Sequence, residues 1–193
     1  MTLPAFTSTR QFTHVRLLVT LVGPGGVGKT RLALRLAGAV ADAFVDGTWL
    51  VDLSPISDQS LVPQVLADVL GVRLPPGKSW QQALILALRP RRLLVVLDNC
   101  EHLTEACAEL VDALLRACAD LKVIATSQQP LVSAVETTWR VPPLSLPSDA
   151  LGEVEGLLRS EAVRLFVARV GCIFRTSPSM VTMPRSSPRS VDG

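Results

Sequence analysis

The sequence predicts an α/β fold, a three-layer arrangement in which a parallel sheet of about five strands is flanked by helices. Short apolar runs alternate with longer stretches of helical periodicity between residues 15 and 126, which is typical of strand–helix–strand units. One of these runs, residues 93–97, is apolar on both faces, as a central strand covered by helices must be. A glycine-rich turn at residues 23–28 separates the first strand from the first helix.

The elements of the first half follow from periodicity and from glycine stops. We expect a strand at about 16–22, a helix at about 29–44, a second strand at 48–53 and a second helix at 61–70. One side of the first helix carries the apolar residues Leu32, Leu36, Val40 and Ala43. Gly47 and Gly71 each follow the end of a predicted unit, so they indicate where the chain turns.

The second half continues the alternation. Ser79 and Gln82 form a plausible capping box for a helix that ends before Pro90. After the apolar strand at 93–97, the periodicity predicts a helix at 104–118 and a strand at 122–126. The remaining predicted elements are a fifth strand at 137–141 and a short helix at 160–170.

The composition argues against several classes of protein. A formal net charge of +2 with scattered arginines is not the basic surface of a nucleic-acid-binding protein. Apolar runs are far shorter than the ~20 residues of a membrane-spanning helix. The cysteines include no CxxC pair, so we expect reduced core thiols in a cytoplasmic protein rather than a zinc site. The residues concerned are Cys100, Cys107, Cys118 and Cys172.

A phosphate-binding motif lies between the first strand and the first helix. The segment Gly23-Pro24-Gly25-Gly26-Val27-Gly28-Lys29-Thr30 matches GxxxxGK[ST], which predicts a P-loop NTPase fold. Its backbone amides and the helix amino end suit phosphate oxygens, Lys29 reaches the terminal phosphates, and the Thr30 hydroxyl can bind magnesium. Arg31, which follows directly, completes the predicted nucleotide-binding set. The alternative is a glycine-rich turn with an incidental lysine.

Asp98 stands at the carboxyl end of the apolar strand, where a P-loop protein places the carboxylate that holds magnesium. The alternative is an aspartate that caps the strand or the next helix. Asn99 follows, and an amide there favours weak hydrolysis unless Glu101 supplies the base, so Asp98 and Glu101 are the candidate catalytic residues. For His102, a hydrogen bond at the helix entry is at least as good an interpretation as catalysis.

Two hydroxyl residues, Thr126 and Ser127, end the fourth strand, whose carboxyl end belongs beside the phosphate site in a doubly wound sheet. They are candidates for sensing the terminal phosphate. The alternative is that they close the strand into a turn before Pro130.

Six segments together resemble a known family. They are GPGGVGKTRLALRLA, GTWLVDLSPISD, LLVVLDNCEHL, VIATSQQPL, TTWRVPPLSLP and SEAVRLFVARV, and they occur in the order found in the NB-ARC-like ATPase domain of LuxR-type and SARP-type bacterial transcriptional regulators, within the STAND ATPases. The resemblance implies a switch that ADP closes and that ATP with Mg²⁺ opens, attached to sensor and DNA-binding domains. The sequence differs from the family pattern at Gln128, where similar proteins carry an arginine, and residues 6–16 lack the family's adenine-binding Val-Gly-Arg-Glu element.

Four regions follow from these assignments. We expect a partly ordered N-terminal segment at 1–14, a P-loop NTPase domain at 15–147, a linker and the start of a helical region at 148–170, and a disordered tail at 171–193. Because periodicity and resemblance both stop after Val170, we also hypothesise that the tail is truncated or frame-shifted.

The functional hypothesis is an ATP/ADP-binding regulatory module of a bacterial signalling or transcriptional regulator, with Mg²⁺ as cofactor and weak hydrolysis at most. Its expected partners are the nucleotide and other domains or subunits of the regulator, with no membrane. The alternative is a free-standing ATPase or small P-loop kinase with real turnover. A DNA-binding regulator in its own right is disfavoured, since these residues contain no helix-turn-helix with a basic recognition helix, and we expect no direct nucleic-acid binding by this chain.

Overall fold

A computed structural model of the chain describes residues 17–143. The predicted segments at 1–14, 148–170 and 171–193, together with the helix at 160–170, lie outside the described residues. Within residues 17–143, five strands form one sheet in the order β2-β3-β4-β1-β5. They are β1 (Leu17–Val22), β2 (Thr48–Asp52), β3 (Leu94–Asp98), β4 (Lys122–Ser127) and β5 (Glu136–Arg140). The α-helices are α1 (Lys29–Val40), α2 (Val62–Val69), α3 (Trp80–Leu88) and α4 (Thr104–Ala117).

The predicted fold class is confirmed. Each neighbouring pair of strands is parallel, and helices flank the sheet. The strand apolar on both faces is β3, and all five of its residues are buried. The predicted capping box begins α3. The Ser79 hydroxyl accepts from the backbone amide of Gln82 at 3.3 Å, and the backbone amide of Ser79 donates to Gln82 Oε1 at 3.1 Å. Among residues 17–143, no helix is both long and apolar enough to cross a membrane.

Alternate strand residues point to opposite faces of the sheet, and helices cover the two faces unequally. On one face, α2, α3 and α4 pack against residues such as Val95 and Leu97 to form the larger core. On the other face, α1 packs against Leu94, Val96 and Ile124 in a smaller core. Cys100, Cys107 and Cys118 are free and buried in the larger core, which confirms the thiol prediction for these three, whereas Cys172 lies outside the described residues.

The predicted first helix corresponds to two consecutive elements in the structure. The α-helical part ends at Val40 and a single turn of 3₁₀-helix, Ala41–Ala43, continues it. Its buried face consists of Ala33 and Ala37, while Leu36 is 40% exposed and Val40 42% exposed. Of the residues predicted along one side, Leu32 packs partly buried against the smaller core, whereas Leu36 and Val40 are exposed.

The topology gathers the predicted site at one edge of the sheet. β4 lies between β1 and β3, and the register pairs Val22 with Ser127 and Leu97 with Ala125. Because all these strands are parallel, their carboxyl ends lie along the same edge. In doubly wound sheets, ligands bind in the crevice beyond that edge.

Candidate functional site

The glycine loop is tied to the sheet at its first residue. The Gly23 amide donates to the Ser127 carbonyl at 3.3 Å, which joins the end of β1 to the end of β4. A Cβ on Gly23 would lie 2.9 Å from the Val141 carbonyl oxygen, so a larger residue would force the backbone apart. Gly28, the N-cap of α1, has a φ of 91°, a conformation that favours glycine. The loop conformation thus depends on glycine at both ends.

Lys29 folds back across this loop. Its ammonium donates to the Gly23 carbonyl at 2.9 Å and to the Pro24 carbonyl at 3.0 Å, and the residue is 9% exposed. Both acceptors are neutral, so these bonds orient the ammonium without neutralising its charge. A fixed cation beside the loop is an attractive position for an anion.

The loop leaves room for a ligand. At Gly25, Gly26 and Gly28, an added Cβ would meet nothing within 4 Å. The first turn of α1 carries no acidic residue, so its amino end keeps the positive field of the helix dipole. Open space, a fixed ammonium and a helix amino end together fit a polyphosphate.

The structure brings the predicted magnesium residues together. Asp98 is only 5% exposed, and its Oδ1 accepts from the Thr30 hydroxyl at 2.8 Å. A hydroxyl that donates its hydrogen to a carboxylate keeps its lone pairs for a cation. The pair Thr30 and Asp98 therefore fits a magnesium ion beside the loop, with oxygen donors of the kind that this cation prefers.

Thr126 and Ser127 have contacts that their positions on β4 explain. The Thr126 hydroxyl donates to Asp98 Oδ1 at 2.5 Å and accepts from the backbone amide of Asn99 at 3.1 Å, so it helps to orient Asp98. The Ser127 hydroxyl accepts from the Gln129 amide at 3.3 Å, closing the turn after the strand. Phosphate sensing by these two hydroxyls stays a prediction.

Glu101 and His102 lie in the 3₁₀ turn Cys100–His102 after β3. Glu101 Oε1 accepts from the Gln128 side chain at 3.2 Å, while Oε2 is buried without a hydrogen-bond partner among the described residues. His102 Nε2 lies 2.7 Å from the Ile56 carbonyl oxygen and must be the donor there, since a carbonyl only accepts. This contact is a hydrogen bond just before α4, as in the non-catalytic interpretation of His102.

The other loop residues occupy the surroundings of the site. Val27 packs, partly buried, against the core beneath α1, whereas Pro24 is exposed. Arg31 is exposed in the first turn of α1.

Sequence reasoning missed Asp52. It ends β2, and its Oδ1 accepts from Asn99 Nδ2 at 3.1 Å and from the Ser54 amide at 2.9 Å. The Ser54 amide is the largest cause that lowers the pKa of Asp52, followed by the Ser54 hydroxyl and Asn99. The signal available in the sequence was an aspartate directly after an apolar run, as at Asp98.

No family model matches the chain. An uncharacterized protein of Mycobacterium tuberculosis is 43% identical over 142 residues, which cover 74% of this chain and 36% of that protein. A "Putative HTH-type transcriptional regulator" of the same species is 48% identical over 134 residues, covering 69% of this chain and 15% of the regulator. The chain is thus similar to a minor part of each of these longer proteins.

Among solved structures, Cdc6p from Pyrobaculum aerophilum has a TM-score of 0.47 at 17% sequence identity, over 66% of this chain and 39% of that chain.

Proposed function

We propose that the chain is an ATP/ADP-binding regulatory module that works with Mg²⁺ and hydrolyses ATP weakly at most. The observation that carries the proposal is the convergence of the Lys29 ammonium and the Thr30–Asp98 pair at an open glycine loop. Loop amides would hold the phosphates, Lys29 would reach the terminal ones, and Thr30 and Asp98 would hold the magnesium. The ion, when bound, supplies positive charge against the phosphate oxygens.

The regulatory part of the proposal is supported by similarity. The match to a segment of the "Putative HTH-type transcriptional regulator" from M. tuberculosis favours a regulatory role. The six segments that resemble the NB-ARC-like family favour a STAND-type switch. In this proposal ADP stabilises one conformational state of the module and ATP another. Other domains or subunits of a bacterial signalling or transcriptional regulator respond to the change between these states. This chain would bind the nucleotide and would not contact DNA directly. Free thiols at Cys100, Cys107 and Cys118 favour the cytoplasm.

Isothermal titration with ADP and with ATP plus Mg²⁺ tests nucleotide binding. Lys29→Ala removes a charge-assisted contact to phosphate, which is worth about 1.5–3 kcal/mol, so we expect affinity to fall roughly 10- to 100-fold. Lys78→Ala is the matched control, because Lys78 is an exposed lysine of the α2–α3 connection and should leave affinity unchanged. The proposal is lost if the folded wild-type chain binds neither nucleotide, or if the two variants behave alike.

An enzyme with real turnover is the second candidate, and one observation favours it. Glu101 Oε2 is a buried acceptor without a hydrogen-bond partner among the described residues. Glu101 lies in the 3₁₀ turn Cys100–His102, close after Asp98 in the chain. Such an oxygen could take a hydrogen bond from water, which a hydrolytic base must do. Phosphate release faster than about 1 per second, the lower end of typical enzymes, would favour this candidate. Glu101→Gln should then abolish turnover while nucleotide affinity stays unchanged.

A further inference from the structure

Asp52 and Asp98 end neighbouring strands at the same level. β2 and β3 pair in parallel, and the register sets Asp52 directly opposite Asp98. Two carboxylates so placed repel each other unless donors lie between them. The question at this edge is therefore what separates and orients the two carboxyl groups.

Asn99 supplies those donors. Its backbone is left-handed, with φ 62° and ψ 48°, a conformation in which asparagine is several-fold enriched. Its side-chain nitrogen lies 3.1 Å from Asp52 Oδ1 and 3.4 Å from Asp98 Oδ2. The carboxamide thus bridges the two carboxyl groups, and its shorter bond is to Asp52.

The two oxygens of Asp98 are held differently. Oδ1 accepts from the Thr30 and Thr126 hydroxyls, both within 2.8 Å. Oδ2 contacts Asn99 at 3.4 Å, which is longer than the usual 2.7–3.2 Å of an N–H···O bond. Oδ2 therefore keeps acceptor capacity for water, while the Asn99 carboxamide makes a longer contact with it.

Asp52 is itself fixed, although it lies at the surface. The Ser54 amide donates to Oδ1 at 2.9 Å, so a local turn holds the carboxylate that holds Asn99. A chain of contacts then runs from Ser54 through Asp52 and Asn99 to Asp98 Oδ2.

We propose that Asp52 is a positioning residue of the magnesium–nucleotide site: through Asn99 it fixes Asp98 Oδ2, and thereby the face of Asp98 that meets the water shell of the metal. The inference rests on the proposed function. Asp52 acts through a neighbour and stays outside the phosphate loop. Its removal should weaken the magnesium-dependent part of nucleotide binding and leave the phosphate cradle intact.

The chain provides a matched control for the test. Asp58 forms the same local turn as Asp52, because its Oδ1 accepts from the Ser60 amide at 2.9 Å. It lies in the connection from β2 to α2 that follows Asp52, and it caps the 3₁₀ turn Gln59–Leu61. Asp52→Ala and Asp58→Ala each remove one such turn, but only Asp52→Ala removes the contact with Asn99.

The readout is ATP affinity by titration, measured with Mg²⁺ and again with EDTA. Losing an outer-shell partner of a metal site typically lowers metal affinity 10- to 100-fold. The gain from Mg²⁺ is the ratio of ATP affinity with Mg²⁺ to ATP affinity with EDTA, and we expect Asp52→Ala to reduce this ratio about 10-fold. Affinity in EDTA should stay at the wild-type value, and Asp58→Ala should match wild type in both conditions. Asp52→Asn, which keeps an acceptor for Asn99, should retain most of the gain.

A double variant tests whether Asp52 acts through Asn99. Asn99→Gly removes the carboxamide and lets the backbone keep its positive φ without strain. If the two residues form one chain of contacts, Asp52→Ala should add nothing to Asn99→Gly. Additive losses, equal losses in Asp52→Asn and Asp52→Ala, or an unchanged gain from Mg²⁺ in Asp52→Ala would each overturn the inference. A wild-type chain that binds no nucleotide would instead overturn the proposed function.

Discussion

The two faces of the sheet differ in the size of the side chains that meet there. Beneath α2, α3 and α4 the core is built from large residues, among them Leu66, Leu84 and Leu114, each at most 2% exposed. Beneath α1 the buried residues that the helix contributes are Ala33 and Ala37, and Leu32 adds a partly buried contact. Large buried side chains give most of the hydrophobic stabilisation, whereas alanines let a helix approach the sheet closely.

This difference separates stability from the candidate site. α1 carries Lys29 and Thr30 in its first turn, and Thr30 must stay within hydrogen-bond distance of Asp98 on β3. Small residues on the buried side of α1 permit that approach. The face with the larger core is therefore not the face that positions the loop, and substitutions on the two faces should have different consequences.

The largest expected effect is a loss of stability from the face beneath α2, α3 and α4. Leu84→Ala in α3 removes a side chain that is 0% exposed, and such truncations lower the free energy of unfolding by about 2–5 kcal/mol. Leu86→Ala in the same helix removes one that is 58% exposed, and we expect at most a small loss. Urea denaturation monitored by circular dichroism measures both. Equal losses would mean that this face does not dominate stability.

The strands and the phosphate loop were predictable because their signals are local. The run at 93–97 and the motif ending in Lys29 each lie within a few consecutive residues. The sequence did not show which side of α1 is buried, since Leu36 and Val40 repeat at the same helical spacing as Ala33 and Ala37. Helical periodicity alone favours burial of the side with the bulkier residues. The close approach of α1 to β3 instead requires small residues on the side that packs against the sheet.

The contacts of Asp98 divide in the same way. Its position at a strand end was predictable from the apolar run that precedes it. Its contact with Thr126 depends on β4 lying beside β3, and the bridge from Asn99 to Asp52 depends on β2 lying on the other side. The order of the strands in the sheet is set by non-local packing. Local sequence patterns do not give that order, so they do not show which strand ends lie side by side.

A smaller effect, but one on both stability and binding, is expected beneath α1. Ala33→Leu places a large side chain where Ala33 is 0% exposed, and overpacking of this kind costs about 1–3 kcal/mol of unfolding free energy. Because the helix must move outward, Thr30 should draw away from Asp98 and ATP affinity with Mg²⁺ should fall. Ala39→Leu, on the exposed side of the same helix, is the control. A stability loss without any loss of affinity would show that the loop position does not depend on this packing.

The smallest effect is expected from surface charge, at Asp58 in the turn before α2. Hydrogen bonds from the Ser60 hydroxyl and then from its amide lower the pKa of Asp58 below the ordinary value of 3.8. A carboxyl group with a lowered folded-state pKa contributes stability that is present above pH 3.8 and is lost as the pH falls through the lower, folded value. Asp58→Asn keeps an acceptor for Ser60 but cannot titrate, so its unfolding midpoint in urea should fall less than that of wild type between pH 5 and the acid end of that window. Because Asp58 is fully exposed, the difference between Asp58→Asn and wild type should be far smaller than the effect of Leu84→Ala. A difference of similar size would mean that surface charge contributes as much to stability as the larger core.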